Sequence, residues 1–336
     1  KKPSGVWIMA YTTIDDPSSV FQCTLYSGNA GTQTITHGGD SDLQADLVWL
    51  KGRNHAESHF LTDSVRGVNS QLYTNGTNAE GTETNVVTAI GSDSFNIGNY
   101  SDINTSGKNY VSWNFKETAG MFDIVAYTGN DTTRTISHSL GVIPKMIWVK
   151  ERANANSWHV YNETLGNTKH LYLNTTHAAQ TSSAMWNDTS PTSSVFTVSG
   201  ETQVNRDGGT IIAYLFGDKQ GVSKVGSYIG NGNADGTFVY TGFKPAFVLI
   251  KITDNGSQDW FVLDNKRSPS NLVDDSLAPN QTDQEYTSEA NLDFTAQGFK
   301  LRMTSIRVNG SGNNYIYMAF AEQPFVTSTG VPATAR

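Results

Sequence analysis

The chain has 336 residues and a formal net charge of −8 at pH 7, with 37% hydrophobic and only 16% charged residues. The acidic balance argues against a nucleic-acid partner, because phosphate backbones are bound by clustered Lys and Arg side chains. No apolar run approaches the roughly 20 residues that a membrane-spanning helix needs, so membrane insertion is not expected. The single cysteine, Cys23, excludes an intrachain disulfide and is predicted to be a small buried strand residue.

Asn, Thr, Ser and Gly supply most of the polar side chains, and all four are poor helix formers. Aromatic residues make up 11% of the chain, which is typical of half-buried strands. The composition therefore predicts an all-β fold. A length of 336 residues exceeds what one core ordinarily serves, so we expect two or three domains.

The chain begins with an alternating apolar segment, SGVWIMAY at residues 4–11, which predicts a strand. Similar segments, NYVSWNF, GTIIAYLF and NYIYMAF, close three later units. We therefore predict that residues 1–19 hold the closing strand of a preceding unit and a connector, and that the chain is the C-terminal part of a longer polypeptide. A circular arrangement, in which this first strand completes the array, is the alternative.

A Tyr-x-Gly-Asn tetrad follows and occurs three times at intervals of 101 residues. Its landmarks are Tyr26 and Asn29, Tyr127 and Asn130, and Tyr228 and Asn231. The equal spacing predicts three tandem repeats, which we place at residues 20–120, 121–223 and 224–336. Frequent turn signals predict roughly seven or eight short strands per repeat, hence antiparallel β-sandwiches of jelly-roll type. Because the connections are short, we expect the units to stack as a stiff string.

A continuous apolar strand ends in lysine in each repeat. The segments ADLVWLK, PKMIWVK and PAFVLIK close at Lys51, Lys150 and Lys251. Continuous apolar character predicts strands that are buried on both faces of a sheet. Each lysine that follows is predicted to emerge into solvent at the strand end.

Repeats 1 and 3 then carry an Asp and an Arg three residues apart. The pairs are Asp63 with Arg66 and Asp264 with Arg267, whereas repeat 2 has NETLG in this place. We predict that each pair fixes a loop rather than binding a ligand. An exposed pair of this kind would contribute little to stability.

Three segments carry a resemblance to a known family. They are TGFKPAFVLIK at residues 241–251, LTDSVRG at 61–67 and SGNNYIYMAFAEQPF at 311–325. With the Tyr-x-Gly-Asn units, they resemble a tandem β-sandwich repeat of tail-fibre and other virion structural proteins of tailed phages, many of them marine. The resemblance covers nearly the whole chain, although its motifs are structural landmarks and not catalytic signatures. It implies a structural or adhesive role in a virion.

Candidate binding residues are sought where the repeats differ. Sugar sites in β-sandwiches combine exposed aromatic rings with Asn, Asp and backbone groups, so we predict glycan contacts at Trp186, Tyr286 and Tyr100, which lie in polar, repeat-specific loops. HAESH at residues 55–59 lacks the His-Glu-x-x-His spacing, and no metal site or cofactor is predicted. Acidic and amide-rich loops such as NGTNAEGTETN offer oxygen ligands, so calcium binding stays an open alternative.

The resemblance implies a non-enzymatic protein on the outside of the virion. We expect the distal part of a tail fibre or related appendage, acting as a spacer and a host-surface glycan adhesin. Its partners would be other virion proteins and further copies of itself, and the tail-fibre role implies a homotrimer. Repetition would raise avidity without a strong single site. The alternatives are a capsid decoration or assembly protein and a polysaccharide depolymerase with paired carboxylates.

Overall fold

The computed structural model describes residues 10–334. The fold is all-β, with 43% strand and 3% helix in several antiparallel sheets, which confirms the prediction made from composition. The opening strand predicted at residues 4–11 lies almost wholly outside the described residues, and residues 10 and 11 are not in a strand. None of the helices in the described part of the chain is long and apolar enough to span a membrane.

Unit 1 follows a short 3-10 helix at Pro17–Ser19 and contains nine strands and one helical turn. These are β1 (Phe21–Ser27), β2 (Gln33–Thr36), β3 (Leu47–Gly52), β4 (Phe60–Asp63), β5 (Ser70–Tyr73), β6 (Gly81–Thr82), β7 (Val87–Ile90), β8 (Ser94–Ile97), α1 (Ser101–Asn104) and β9 (Asn109–Phe115). One sheet has the order β1-β9-β3-β4-β5-β6, and a smaller sheet has the order β2-β8-β7. A hydrophobic cluster joins the two sheets.

Unit 2 repeats this arrangement. Its elements are β10 (Phe122–Thr128), β11 (Arg134–Ser137), β12 (Met146–Glu151), β13 (His159–Asn162), β14 (Lys169–Tyr172), β15 (Gln180–Thr181), β16 (Val195–Val198), α2 (Thr202–Asn205) and β17 (Thr210–Phe216). The large sheet has the order β10-β17-β12-β13-β14-β15, which matches the large sheet of unit 1 strand for strand, and β11 pairs with β16.

Unit 3 has longer strands that join its two sheets into one. Its elements are β18 (Ser223–Ile229), β19 (Phe238–Tyr240), β20 (Phe243–Ile252), β21 (Phe261–Asp264), β22 (Val273–Leu277), β23 (Tyr286–Thr295), β24 (Gly298–Leu301) and β25 (Asn314–Pro324). The order is β18-β25-β20-β21-β22-β23-β24-β19. The first strand begins one residue before the start that we expected for repeat 3.

The central strand of each large sheet is buried on both faces. In β3, Leu47 and Trp49 belong to one hydrophobic cluster, whereas Val48 and Leu50 belong to another. All residues of this strand are buried, which confirms the prediction from its continuous apolar sequence. Full burial of such a side chain contributes about 1.5–3 kcal/mol, so both faces are needed for stability.

The three units close around a shared core, and the expected string is therefore wrong. The inner faces of all three large sheets contribute to a single cluster of buried residues. Aromatic rings meet across the units at centroid distances of 4.9 Å for Phe21 and Phe320, 5.5 Å for Phe115 and Phe122, and 5.8 Å for Trp49 and Trp148. A string would expose these apolar inner faces, so the sheets bury them against one another instead.

The Tyr-x-Gly-Asn tetrad has a structural role, as unit 2 illustrates. The Tyr127 hydroxyl donates a hydrogen bond of 2.6 Å to the Val204 carbonyl oxygen, and the Asn130 N–H donates to Oδ1 of the buried Asn205 at 3.1 Å. A Cβ atom at Gly129 would overlap the backbone that follows Asn205. Equivalent bonds occur in units 1 and 3, so the tetrad ties the first strand of each unit to its helical turn or the corresponding loop.

Candidate ligand-binding groove between units 2 and 3

Three interfaces join the units, and we call them 1–2, 2–3 and 3–1. An equivalent backbone hydrogen bond crosses each one, from Glu80 N–H to Arg152 O (2.7 Å), from Ala179 N–H to Thr253 O (2.9 Å) and from Glu285 N–H to Arg53 O (2.7 Å). Because the bonds run in the same direction around the ring, the units are related by an approximate threefold arrangement.

A buried ring donates a second bond across each interface. The bonds join Trp158 Nε1 to Tyr73 O (2.8 Å), Trp260 Nε1 to Tyr172 O (3.0 Å) and His59 Nε2 to Ala278 O (3.0 Å). His59 Nδ1 accepts from Trp49 Nε1, which leaves Nε2 as the protonated nitrogen of a neutral ring. Burial lowers the pKa of His59 well below its ordinary value and keeps this ring neutral.

The three strand-end lysines are buried, so the prediction that they emerge into solvent is wrong. Lys51 Nζ donates to Thr282 O (3.0 Å) across interface 3–1, and Lys251 Nζ donates to Thr176 O (2.9 Å) across interface 2–3. Lys150 instead binds carbonyl groups within unit 2. Burial lowers the pKa of each ammonium group to about 8. The strands end at interfaces between units, which the local sequence pattern does not reveal.

A buried ionic network seals interface 1–2. Nε of Arg66 lies 2.5 Å from a carboxylate oxygen of Asp63, and both side chains are fully buried. Nη1 of Arg66 also lies 3.0 Å from Glu80, whose two oxygens receive the guanidinium of Arg152 from unit 2. Burial alone would raise the pKa of Glu80, but the hydrogen bonds from the two guanidinium groups outweigh it and hold the pKa below its ordinary value.

Interface 3–1 contains the same network. Arg267 Nε lies 2.6 Å from Asp264, its Nη1 lies 3.2 Å from Glu285, and Glu285 receives the guanidinium of Arg53 at 2.8 and 3.0 Å. The Asp–Arg pairs therefore have the structural use that their spacing predicted, and they also reach the neighbouring unit.

Each buried Asp also receives a donor from the neighbouring unit. The Tyr214 hydroxyl donates to Asp63 at 2.6 Å, and Trp113 Nε1 donates to Asp264 at 3.0 Å. Each bond adds a donor from the neighbouring unit to a buried carboxylate, which lowers the cost of burying its charge. The third equivalent position on the closing strands is Met318, which offers no such donor.

Interface 2–3 lacks the whole network. The two arginines and the glutamate are replaced by Leu165, Thr253 and Ala179, and the aspartate is replaced by Asn162. Nδ2 of Asn162 is buried without a hydrogen-bond acceptor. Leu165 and Met318 stand where the arginine and the aromatic donor stand at the other interfaces. The smaller side chains leave space at this interface.

That space is a groove of about 580 Å³ between units 2 and 3. Its lining, which defines the groove, is Thr164, Leu165, Lys169, Ala178, Ala179, Ser227, Tyr228, Ile229, Thr253, Asp254, Asn314, Tyr315 and Ile316. The volume lies within the range of about 300–1,000 Å³ that small-molecule sites occupy. The groove is therefore large enough for a small ligand.

The groove combines an apolar floor with a polar rim. Leu165 and Ala179 pack against the shared core, which also contains Ile316. Asp254 accepts hydrogen bonds of 2.8 Å from the N–H and from Nδ2 of Asn314. Burial alone raises the pKa of Asp254, but these bonds outweigh it, and the net pKa lies below the ordinary value.

The structure places the three predicted glycan contacts in three different units. Trp186 is only 2% exposed, its ring packs edge-on against Tyr161, and Nε1 donates to Lys169 O at 3.0 Å. The ring therefore offers no free face, and the prediction that Trp186 stacks on a sugar is wrong. Its polar sequence neighbours surround a ring that completes the core of unit 2.

Tyr100 and Tyr286 are half-buried and remain predictions. Tyr100 packs edge-on against Phe60 at a centroid distance of 5.7 Å. Tyr286 packs against the core of unit 3, and its hydroxyl donates to Asp283. Neither residue lines the groove.

A second cavity, of about 460 Å³, lies between the N-terminal segment of unit 1 and unit 3. Asp15, Asp16, Asp40 and Glu322 are among the residues that line it. Within residues 10–334, no group of three His, Cys, Asp or Glu side chains is placed to hold a metal ion. Cys23 lies beside this cavity and is buried, as its sequence context predicted.

The sequence carries one sign of the groove. The segment NETLG, which contains Asn162 and Leu165, departs from the Asp–Arg pattern of the other two repeats, and the structure shows that this departure opens space at interface 2–3. A comparison of the repeats at positions 66, 165 and 267 identifies the arginine-to-leucine change, but the partners at Ala179 and Thr253 require the three-dimensional arrangement.

The chain belongs to the domain family of unknown function DUF7483, whose model matches residues 16–324. No curated protein matches the chain. The matched range begins at the cap of the first 3-10 helix and ends with the last residue of β25, so it contains all three units. The match therefore covers the three units together and not one repeat.

Proposed function

We propose that the chain is a non-enzymatic virion protein of a tailed phage, in a tail fibre or related appendage, where it contacts host-surface glycans. The resemblance of its repeats to tail-associated proteins supports the location. The adhesive part rests on one observation, which is that two equivalent interfaces are sealed by ionic networks and the third is open as a groove. A closed body in which one of three equivalent interfaces is open suits recognition more than spacing alone.

The lining of the groove favours binding over hydrolysis. Glycoside hydrolysis uses two carboxyl groups about 5–10 Å apart, one on each side of the scissile bond. Asp254 is the only carboxylate among the lining residues, and it is already engaged by Asn314. The groove therefore supports an adhesin and gives no support to a depolymerase.

The closed core changes what a homotrimer would contribute. One chain already supplies three units around an approximate threefold arrangement, so no second copy is needed to complete the core. Within an appendage, a trimer would instead present three grooves together. Weak contacts at each groove would then combine into useful avidity.

Two measurements test the proposed function. Fitting the structure into a density map of the virion that carries the chain should place it on the outside of the tail or its fibres. A location on the capsid would favour the decoration alternative. A glycan array, together with purified host-surface polysaccharide, should show binding without release of new reducing ends. Absence of binding to every host-surface preparation would refute the adhesive role.

A further inference from the structure

We infer that the groove between units 2 and 3 binds an acidic saccharide, whose anionic group pairs with Lys169. This inference specifies the ligand class of the proposed adhesin and rests on that function. The charges of the lining, the occupants of the two equivalent interfaces and the distribution of polar and apolar groups support it.

Lys169 is the cation that the groove leaves without an acidic partner. It lies in β14 and is half-buried, and it has no ion pair with any described residue. The other charged lining residue, Asp254, receives bonds from the N–H and Nδ2 of Asn314 and from Nδ2 of Asn313. These bonds hold the Asp254 carboxylate at the rim, and none of the salt bridges among the described residues involves Lys169, so the Lys169 ammonium is available to an incoming ligand.

The equivalent interfaces show that this part of the fold accommodates a carboxylate. At interface 1–2 the position of Ala179 is occupied by Glu80, and at interface 3–1 it is occupied by Glu285. In both cases the carboxylate lies between two guanidinium groups. At interface 2–3 the side chain that would bring the carboxylate is absent, and the space is open to a carboxylate from outside the chain.

The remaining lining matches the body of a saccharide. The exposed side chains of Thr164, Ser227 and Asn314 offer hydroxyl and amide groups, which both donate to and accept from sugar hydroxyls. Leu165 and Ala179 offer an apolar floor for the C–H face of a sugar ring. A simple inorganic anion would use Lys169 and leave this floor uncovered.

The test is calorimetric titration of the full chain with an oligogalacturonate, with a neutral galacto-oligosaccharide of equal length, and with inorganic phosphate. The acidic oligosaccharide should bind, and both other probes should bind at least about tenfold more weakly. Lys169→Gln should weaken acidic binding by about tenfold or more, as expected for loss of a charge-assisted bond. Lys116→Gln, at an exposed lysine outside the groove, should have no effect.

A second variant fills the groove with the network of the other interfaces. It combines Asn162→Asp, Leu165→Arg, Ala179→Glu and Thr253→Arg, and it should abolish acidic binding while its circular dichroism stays unchanged. Unaltered binding by a folded filled variant, or by Lys169→Gln, would overturn the inference. Equal binding of the neutral sugar or of phosphate would overturn the ligand class. If the parent binds host polysaccharide on the array but the filled variant does so equally, the inference fails while the adhesive function stands.

Discussion

A substitution at Asn162 tests whether the buried carboxylates at the other two interfaces depend on partners from the neighbouring unit. The substitution Asn162→Asp would place a carboxylate beside Leu165 and Met318. The Thr164 N–H, which donates to Asn162 Oδ1 at 3.0 Å, would remain, but neither a guanidinium nor an aromatic donor would be available. Asp63, the equivalent residue in unit 1, has Arg66 at 2.5 Å and the Tyr214 hydroxyl at 2.6 Å. The variant would therefore carry a fully buried charge without these partners.

We expect Asn162→Asp to lower the free energy of unfolding by about 3–5 kcal/mol at pH 7, which is the cost of an uncompensated buried charge. Burial would raise the pKa of the new carboxyl group above its unfolded value. The loss relative to the parent should then shrink as the pH is lowered toward the ordinary carboxyl range, because the folded state binds the proton more tightly.

Urea unfolding followed by tryptophan fluorescence measures the effect. Adding Leu165→Arg and Met318→Tyr should restore stability, with a favourable coupling of about 1–3 kcal/mol between the aspartate and its new partners. Asn99→Asp is the control, since Asn99 is exposed and its side-chain oxygen keeps its acceptor role. An Asn162→Asp variant as stable as the parent, or a triple variant without coupling, would refute the account of the buried networks.

Three further substitutions have defined outcomes. Burial holds the pKa of His159 at about 3, below its ordinary value of 6.5, so below pH 6.5 the unfolded chain binds a proton that the folded chain does not. The free energy of unfolding should therefore fall by about 1.4 kcal/mol per pH unit as the pH drops below 6.5. His159→Phe should reduce this slope in urea melts between pH 7.5 and about 5. Gly129→Ala should destabilise the protein by about 1–3 kcal/mol because its Cβ would overlap the Arg206 carbonyl oxygen, whereas Gly38→Ala, where a Cβ meets no atom within 4 Å, should be near neutral in the same melts. Trp260→Phe should cost about 1–3 kcal/mol in thermal unfolding, because a carbonyl at interface 2–3 loses its donor.

The predictions that succeeded concern local patterns. The apolar run that contains Trp49 indicates burial on both faces of a sheet, and the recurring tetrads indicate repeated units, because these patterns depend on neighbouring residues. Closure of the ring depends on which sheet faces which, and the sequence does not encode that in one segment. Lys51 shows the consequence, since its exposed or buried state depends on a carbonyl more than two hundred residues away.

Trp186 shows a different reason for failure. Its polar sequence neighbours suggested an exposed ring, yet the ring packs on Tyr161 and its N–H binds a backbone carbonyl. A large aromatic ring offers so much apolar surface that a core can recruit it from a polar loop. Exposure is therefore poorly predicted from sequence neighbours when one bulky residue stands alone in a loop.

The groove is best understood as the result of removing a network in full. Loss of Arg66 alone would leave Asp63 and Glu80 poorly compensated, which is strongly destabilising for buried charges. At interface 2–3 every charged member is replaced, so no carboxylate or guanidinium is left without a partner, and the bonds from Ala179 and Trp260 still hold the two units together. The walls of the groove are therefore fixed by the same backbone contacts as the sealed interfaces. Because these walls are already ordered, ordering them costs a bound ligand little binding free energy.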